Sequence, residues 1–425
     1  MRPTLMLFVG TRGVRVADVC APLAAFADVI LAVSDDVLAG RADRLDGSVA
    51  HTGLVRVPHR DDLVAAALRY ARKHRVDGAL TLSDDMLVDT ARFADGADLP
   101  GQPVASVEAF RDKYLQRKAL AAGGLRVPRY AEITDPAQAD AALAEVGLPA
   151  ILKPTRGSGS ALAFPVRTGD ELCARLREAF DARPLVGGAV AADTAFILEE
   201  LLVGDPSWHA DAGFAPYVSV ETVAVAGEYR HLGVTDRFPL APPVLETGMM
   251  FPSGLAPARA ARVTAVATEA LAALDFQHGL AHVELMLTAD GPVVIEVNAR
   301  AGGALPYLVP LATGVDLVAI AGRAALGRLP DQDVVASRRA VFVAPQHPVG
   351  VEVVGVDGLA DVNALPGIRA VIRLAAGAGR TDRFQDTMIA AVLGTCDTPA
   401  EAVRMWQDVM RAVRPRYATP AGAAS

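Results

Sequence analysis

The chain has 425 residues, enough for two to four domains with cores of their own. A formal net charge of −8 argues against a polyanionic partner such as nucleic acid. Hydrophobic residues make up 52%, yet no apolar run approaches the roughly 20 residues of a membrane span, and three scattered cysteines (Cys20, Cys173, Cys396) suit reduced, cytoplasmic thiols rather than a disulfide frame.

In chain order, apolar strands at 5–9, 29–33 and 79–82 alternate with helical stretches such as 61–74. That is an α/β pattern with a Rossmann-like parallel sheet over residues 1–104. The run 5–9 is too short for a signal peptide. Gly10-Thr11-Arg12-Gly13 lacks a full dinucleotide fingerprint and reads as a tight strand-to-helix turn. A helix is expected from near Ser106, and Gly123-Gly124 end its periodic stretch. Strands at 148–153, 163–166 and 195–202 and a helix at 170–182 fill a second unit, 105–205. A strand at 218–224, a helix at 258–274, an apolar hairpin and a helix at 316–326 fill a third, 206–330. The stretch 238–255 is rich in Pro and Gly and is expected to be a long irregular loop. The final unit, 331–425, has α+β character, with strands at 340–343, 351–354 and 368–374 and a helix at 399–413. Its tail from Ala418 reads as frayed.

The hairpin carries the strongest chemistry. Val293-Val294-Ile295 runs into Glu296, Asn298 and Arg300, which alternate onto one face of a strand. A carboxylate and an amide oxygen suit a hard divalent cation, and a guanidinium beside them suits a phosphate. Gly302 and Gly303 then allow a ligand close to the backbone. Upstream, His282-Val283-Glu284 holds a second acid. A two-residue Asp290-Gly291 turn would pair Glu284 with Val297. A three-residue loop, Ala289-Asp290-Gly291, pairs Glu284 with Glu296 and is the expected form.

Two further stretches bear on a phosphate site. Lys153 leads a strand into Gly157-Ser158-Gly159-Ser160, whose backbone N–H groups could wrap phosphate oxygens. A plain hairpin turn explains this loop nearly as well. Glu199-Glu200-Leu201-Leu202 ends a strand with two acids before an apolar wall that could hold an adenine, although acids at a strand end are usually solvated. Arg111-Asp112-Lys113 reads first as a helix-capping region.

The order of these parts resembles the ATP-grasp superfamily, over about residues 106–326. Within it the chain looks most like carboxylate–amine ligases that join L-amino acids into dipeptides. The resemblance implies a two-lobed ATP-grasp module between the N-terminal sheet and the small C-terminal region. It implies that Lys113 and Lys153 hold ATP phosphates under a closing loop of Ser158, Gly159 and Ser160. Glu199, Glu200 and Leu202 would face the adenine. Glu284, Glu296 and Asn298 would bind Mg²⁺, or Mn²⁺ in its place. Arg300 would stabilise an acyl-phosphate and the tetrahedral intermediate. Many members carry a ribose-binding Glu shortly after the position of Gly204. Here Asp205-Pro206-Ser207 stands there, leaving Asp205 or His209 for the ribose. The substrates would be small molecules, an amino acid or other carboxylate plus an amine, and ligases of this build are often homodimers.

Glu246 is a candidate for a substrate amino group, and His209, His278 and His282 are candidate general bases. A purine-biosynthetic or bicarbonate-activating relative, or a non-catalytic ATP-binding homologue, remains the alternative reading.

Overall fold

The computed structural model describes residues 2–11, 13–41, 45, 49–157, 161–182, 194–331, 333–348, 351–374 and 387–418. Strands β1 (Thr4–Phe8), β2 (Asp28–Ser34), β3 (Gly53–Val57) and β4 (Gly78–Leu80) form a parallel sheet in the order β3-β2-β1-β4. Both faces are covered, so the strands read as continuous apolar runs. Leu5, Leu7 and Leu31 pack toward helices Val16–Ala24 and Leu317–Ala325, while Met6, Phe8 and Ile30 pack toward Leu63–Ala71. The edge strand β3 escaped sequence reading because it alternates exposed Leu54 and Arg56 with buried Val55 and Val57.

A second, antiparallel sheet has the order β5-β8-β6-β7, from β5 (Tyr130–Ile133), β6 (Ala150–Pro154), β7 (Phe164–Val166) and β8 (Phe196–Glu200). Leu152 pairs with Leu198, and both join the apolar core with Leu172 and Leu176 of helix Gly169–Ala182. The alternation of a strand therefore sends Lys153 and Glu199 to the opposite face.

The third sheet has eight strands: β9 (Tyr217–Val225), β10 (Glu228–Arg237), β11 (Gly248–Phe251), β12 (Gly279–Thr288), β13 (Gly291–Asn298), β14 (Arg339–Val343), β16 (Ile368–Arg373) and β17 (Ala390–Cys396). Its order is β13-β12-β9-β10-β11-β14-β17-β16, and β15 (Val353–Asp357) pairs separately with β18 (Arg414–Tyr417). Two expectations need correction here. The sheet crosses 330/331, where a boundary between the last two units was expected. The stretch 238–255 is not wholly irregular, because β11 lies inside it with all four residues buried. Gly248 starts that strand at φ +147°, and a Cβ there would lie 2.2 Å from the Phe342 carbonyl oxygen. The glycine that reads as a loop breaker is what lets β11 pair tightly with β14.

The turn of the β12–β13 hairpin also differs from expectation. Thr288 pairs with Gly291, so the connection is the two-residue Ala289-Asp290 turn. Uninterrupted, that register would set Glu284 opposite Ile295. A β-bulge shifts it, and Glu284 pairs with Glu296 as anticipated. No single helix among the described residues is long and apolar enough to cross a membrane, and the three cysteines are free.

Candidate active site

The side chains singled out in the sequence meet where the antiparallel lobe faces the hairpin. Helix Lys113–Ala122 begins at Asp112, whose carboxylate caps it by accepting from the Tyr114 and Leu115 N–H groups. This cap fixes Lys113 in the first turn. Its Nζ lies 2.8 Å from Glu296 Oε1 and donates to the Gly157 carbonyl at 3.2 Å. One turn on, buried Arg117 sits 2.8 Å from Glu199 Oε1 through Nε and donates to the Ile295 carbonyl in the bulge. Lys153 pairs with the other Glu199 oxygen. Burial would raise the Glu199 carboxyl, but Arg117 and Lys153 hold it down at about 2. Burial lowers Lys153 despite that partner.

The large sheet contributes a chain of charges on one face. Glu221 on β9 accepts from Ser219 Oγ at 2.6 Å and Thr235 Oγ1 at 2.8 Å, and it lies 2.8 Å from His282 Nδ1. His282 Nε2 lies 3.2 Å from Glu284 Oε1. Burial would lower this imidazole, but Glu221 and Glu284 raise it to about 9. Its Nε2 also lies 3.2 Å from Arg237 Nη2, so that nitrogen faces both a guanidinium donor and the Glu284 carboxylate. Burial would raise Glu284, yet His282 and Arg237 keep it at about 2. The fully buried Arg237 bonds Glu246 Oε1 at 2.9 Å, and Tyr217 donates to the same oxygen at 3.1 Å. Arg300 is held from the N-terminal unit: its Nε lies 2.7 Å from Asp84 Oδ2, its Nη1 donates to the Ala301 carbonyl at 2.9 Å, and Nη2 reaches Asn298 Oδ1 at 3.4 Å.

Several expected residues lie elsewhere. His209 is buried against Asp236 at 3.0 Å, an acid that also accepts from Ser253 Oγ and the Gly254 N–H. The pairing holds one nitrogen of the buried His209 ring. Asp205 caps the short helix Pro206–Trp208 by accepting from the Ser207 N–H. The Glu199 carboxylate is engaged by two cations, one on each oxygen. Glu200 bonds Arg129 at 3.2 Å, and Leu202 is half-buried beside it. Gly302 lies against His282, whereas Gly303 faces open space. Burial lowers His278, whose Nδ1 has no hydrogen-bond partner among the described residues. Ser158, Gly159 and Ser160 lie outside the described residues.

Reading by motif missed Asp84, Arg117, Glu221 and Arg237. The one available signal was a charged residue inside an apolar strand, as at Glu221 within β9, since such a group needs a partner.

The donor set fits a hard divalent cation. Glu284, Glu296 and Asn298 present oxygens on one face, and each now meets a positive group: His282, Lys113 or Arg300. Among the described residues no three His, Cys, Asp or Glu side chains converge as a metal site, so a cation held here would draw on the Asn298 amide oxygen as well as on the two acids.

Residues 146–306 match the family model for the ATP-grasp domain. That stretch, rather than the whole chain, is what is similar to the ATP-grasp domain. Alanine–anticapsin ligase of Bacillus subtilis (strain 168) is 27% identical over 248 residues, 57% of this chain and 52% of that protein. D-alanine–D-alanine ligase of Cupriavidus necator is 29% identical over 221 residues, 51% of this chain and 62% of that protein. The chain thus spans about half the length of the alanine–anticapsin ligases it matches. The fold aligns with the crystal structure of an L-amino acid ligase from Bacillus licheniformis at a TM-score of 0.80 and 20% identity, covering 98% of this chain and 99% of that one. The likeness of fold to that structure therefore extends beyond the stretch that the family model matches.

Proposed function

We propose that the protein is an ATP-dependent carboxylate–amine ligase that joins L-amino acids through an acyl-phosphate. The observation that carries this reading is the convergence of Lys113, Lys153, Glu284, Glu296, Asn298 and Arg300 on one cleft of an ATP-grasp fold. A carboxylate is a poor electrophile, and ATP with Mg²⁺ would supply its activation by phosphoryl transfer. The protein's share is then positioning and charge stabilisation. Lys113 and Lys153 would hold phosphate oxygens as point charges. Glu284, Glu296 and Asn298 would hold the cation. Arg300, pinned by Asp84, would face the oxyanion formed when the amine attacks, an arrangement worth roughly 10²–10³ in rate per donor. Glu246, fixed by Tyr217 and Arg237, would accept from a substrate ammonium. The small-molecule substrates, the cytoplasmic location and a homodimer belong to the same proposal.

The test is ADP release with Mg²⁺-ATP against amino acids singly and in pairs, with mass spectrometry of the products. A pair-dependent signal and a condensed product, both lost in Glu296→Gln and Lys153→Ala, is the expected result. ADP release that ignores amino acids but answers bicarbonate would move the function to another acceptor.

A further inference from the structure

Glu246 sits in the connection 238–247, between β10 and β11. Its Oε1 takes both donors from the large sheet, Arg237 Nε at 2.9 Å and Tyr217 at 3.1 Å. The side chain is half-exposed, and among the described residues its other oxygen makes no hydrogen bond. Those bonds orient the carboxylate and leave the backbone that carries it to be fixed from elsewhere. The connection braces itself in part. Ala241 N–H donates to the Leu245 carbonyl at 2.8 Å, and Leu245 N–H returns a bond to Ala241 at 2.7 Å. Thr247 Oγ1 donates to the Pro239 carbonyl at 2.6 Å.

The rest of the hold comes from the C-terminal unit, from residues 100 and 159 positions later. Gln346 Nε2 donates to the Glu246 carbonyl at 2.6 Å, and Thr387 Oγ1 donates to Gln346 Oε1 at 2.8 Å. Both ends of the Gln346 amide are thereby engaged. The Ala344 N–H donates to the Thr247 carbonyl at 2.8 Å. Trp406, on helix Pro399–Ala412, donates from Nε1 to Thr247 Oγ1 at 3.1 Å. Its ring stacks on Phe238, with centroids 5.5 Å apart and planes 12° apart, and Phe238 stacks on Phe214 at 5.4 Å. The one proton of the Thr247 hydroxyl goes to Pro239 and its lone pair takes the indole N–H, so the bonds run in one direction. Thr247 and Phe238 are buried, where a polar group that loses its partner is costly.

We propose that Gln346 and Trp406 are positioning residues, which fix the Glu246–Thr247 backbone and so set the affinity for a substrate amino group. A carboxylate binds an ammonium at full strength only when it is held within about 0.5 Å of the productive place. Arg237 and Tyr217 aim the Glu246 carboxylate, and Gln346 and Trp406 hold its backbone in place. The inference rests on the ligase reading and on Glu246 as the acceptor of the ammonium. It makes the C-terminal unit a working part of the substrate site.

The experiment uses the full chain with Gln346→Met, which removes the amide donor, and Trp406→Phe, which keeps an aromatic ring on Phe238 and deletes the N–H. Thr247→Val and its combination with Trp406→Phe complete the set. The first arm needs no turnover. Amide hydrogen exchange across 241–247 should speed up roughly tenfold in Gln346→Met and in Trp406→Phe, with the 279–298 hairpin as in wild type. Unchanged exchange at 241–247 overturns the clamp. The second arm measures KM for the amino-acid substrates, KM for ATP, and inhibition by each amino acid's des-amino analogue. KM for one amino acid should rise roughly tenfold in both variants, while its des-amino analogue and ATP stay within about twofold. The combined variant should match Thr247→Val alone, because both changes break one bond. An equal rise for ATP or for the analogue, an unchanged KM for every amino acid, or effects that multiply in the combined variant overturn the positioning role. If no amino acid supports turnover, the ligase reading fails while the exchange arm still decides the clamp.

Discussion

Glu199 shows how one carboxylate can be tied to the fold more tightly than its motif implies. It is buried between Arg117 and Lys153, so its removal strands two cations. Glu199→Gln should cost about 3–5 kcal/mol in urea unfolding. Its neighbour Glu200, on the half-exposed Arg129, should lose no more than about 1 kcal/mol in Glu200→Gln. The same groups set a pH window. Glu199 and Glu284 are depressed from 4.5 to about 2, so their stabilisation is complete above 4.5 and is lost as pH falls toward 2. His282 is raised from 6.5 to about 9, so its contribution is complete below 6.5 and is lost as pH rises through 9. The melting temperature should therefore be flat between about 4.5 and 6.5 and fall on both sides. His282→Gln should flatten the alkaline arm and leave the acid fall from Glu199. An alkaline arm unchanged in that variant would place its source elsewhere.

At the scale of elements, the hairpin combines a correct outcome with a wrong route. The pairing of Glu284 with Glu296 was legible because the metal-binding face expected of the hairpin requires it. The two-residue turn and the bulge were not, because the extra residue costs nothing in local propensity and is fixed by a tertiary contact, Arg117 on the Ile295 carbonyl. Strand β11 hid for a related reason: Gly248 and the flanking prolines signal a loop, and only its neighbours β10 and β14 make it a strand. The parallel strands and the long helices were plain because their apolar periodicity is local. Gly302 gives an element-scale test. A Cβ there would lie 2.7 Å from the His282 ring, which would push the imidazole off Glu284. On the proposed metal site, withdrawing this positive group from Glu284 in Gly302→Ala should tighten Mn²⁺ binding about 10-fold by electron paramagnetic resonance. Unchanged affinity would count against Glu284 as a ligand.

Across the whole molecule, the Asp84–Arg300 pair joins the N-terminal sheet to the hairpin over 216 residues of sequence. Separation of that kind is invisible to motif reading, which is why Asp84 was passed over. On the proposed role of Arg300 it would be a positioning residue, and Asp84→Ala should lower kcat at least about tenfold while KM for ATP stays within about twofold, with Asp84→Glu recovering part of the rate. A matched rise in KM for ATP would instead mark a general loosening of the cleft. The Lys113–Glu296 contact has a different reach. The two charges neutralise each other at 2.8 Å. On the proposed roles, a divalent ion arriving alone would crowd the Lys113 ammonium, and a nucleotide arriving alone would leave Glu296 without its counter-charge. Arriving together, they exchange partners and leave neither charge stranded. Metal and nucleotide should therefore bind as a thermodynamically linked couple, each raising the affinity of the other by the same factor.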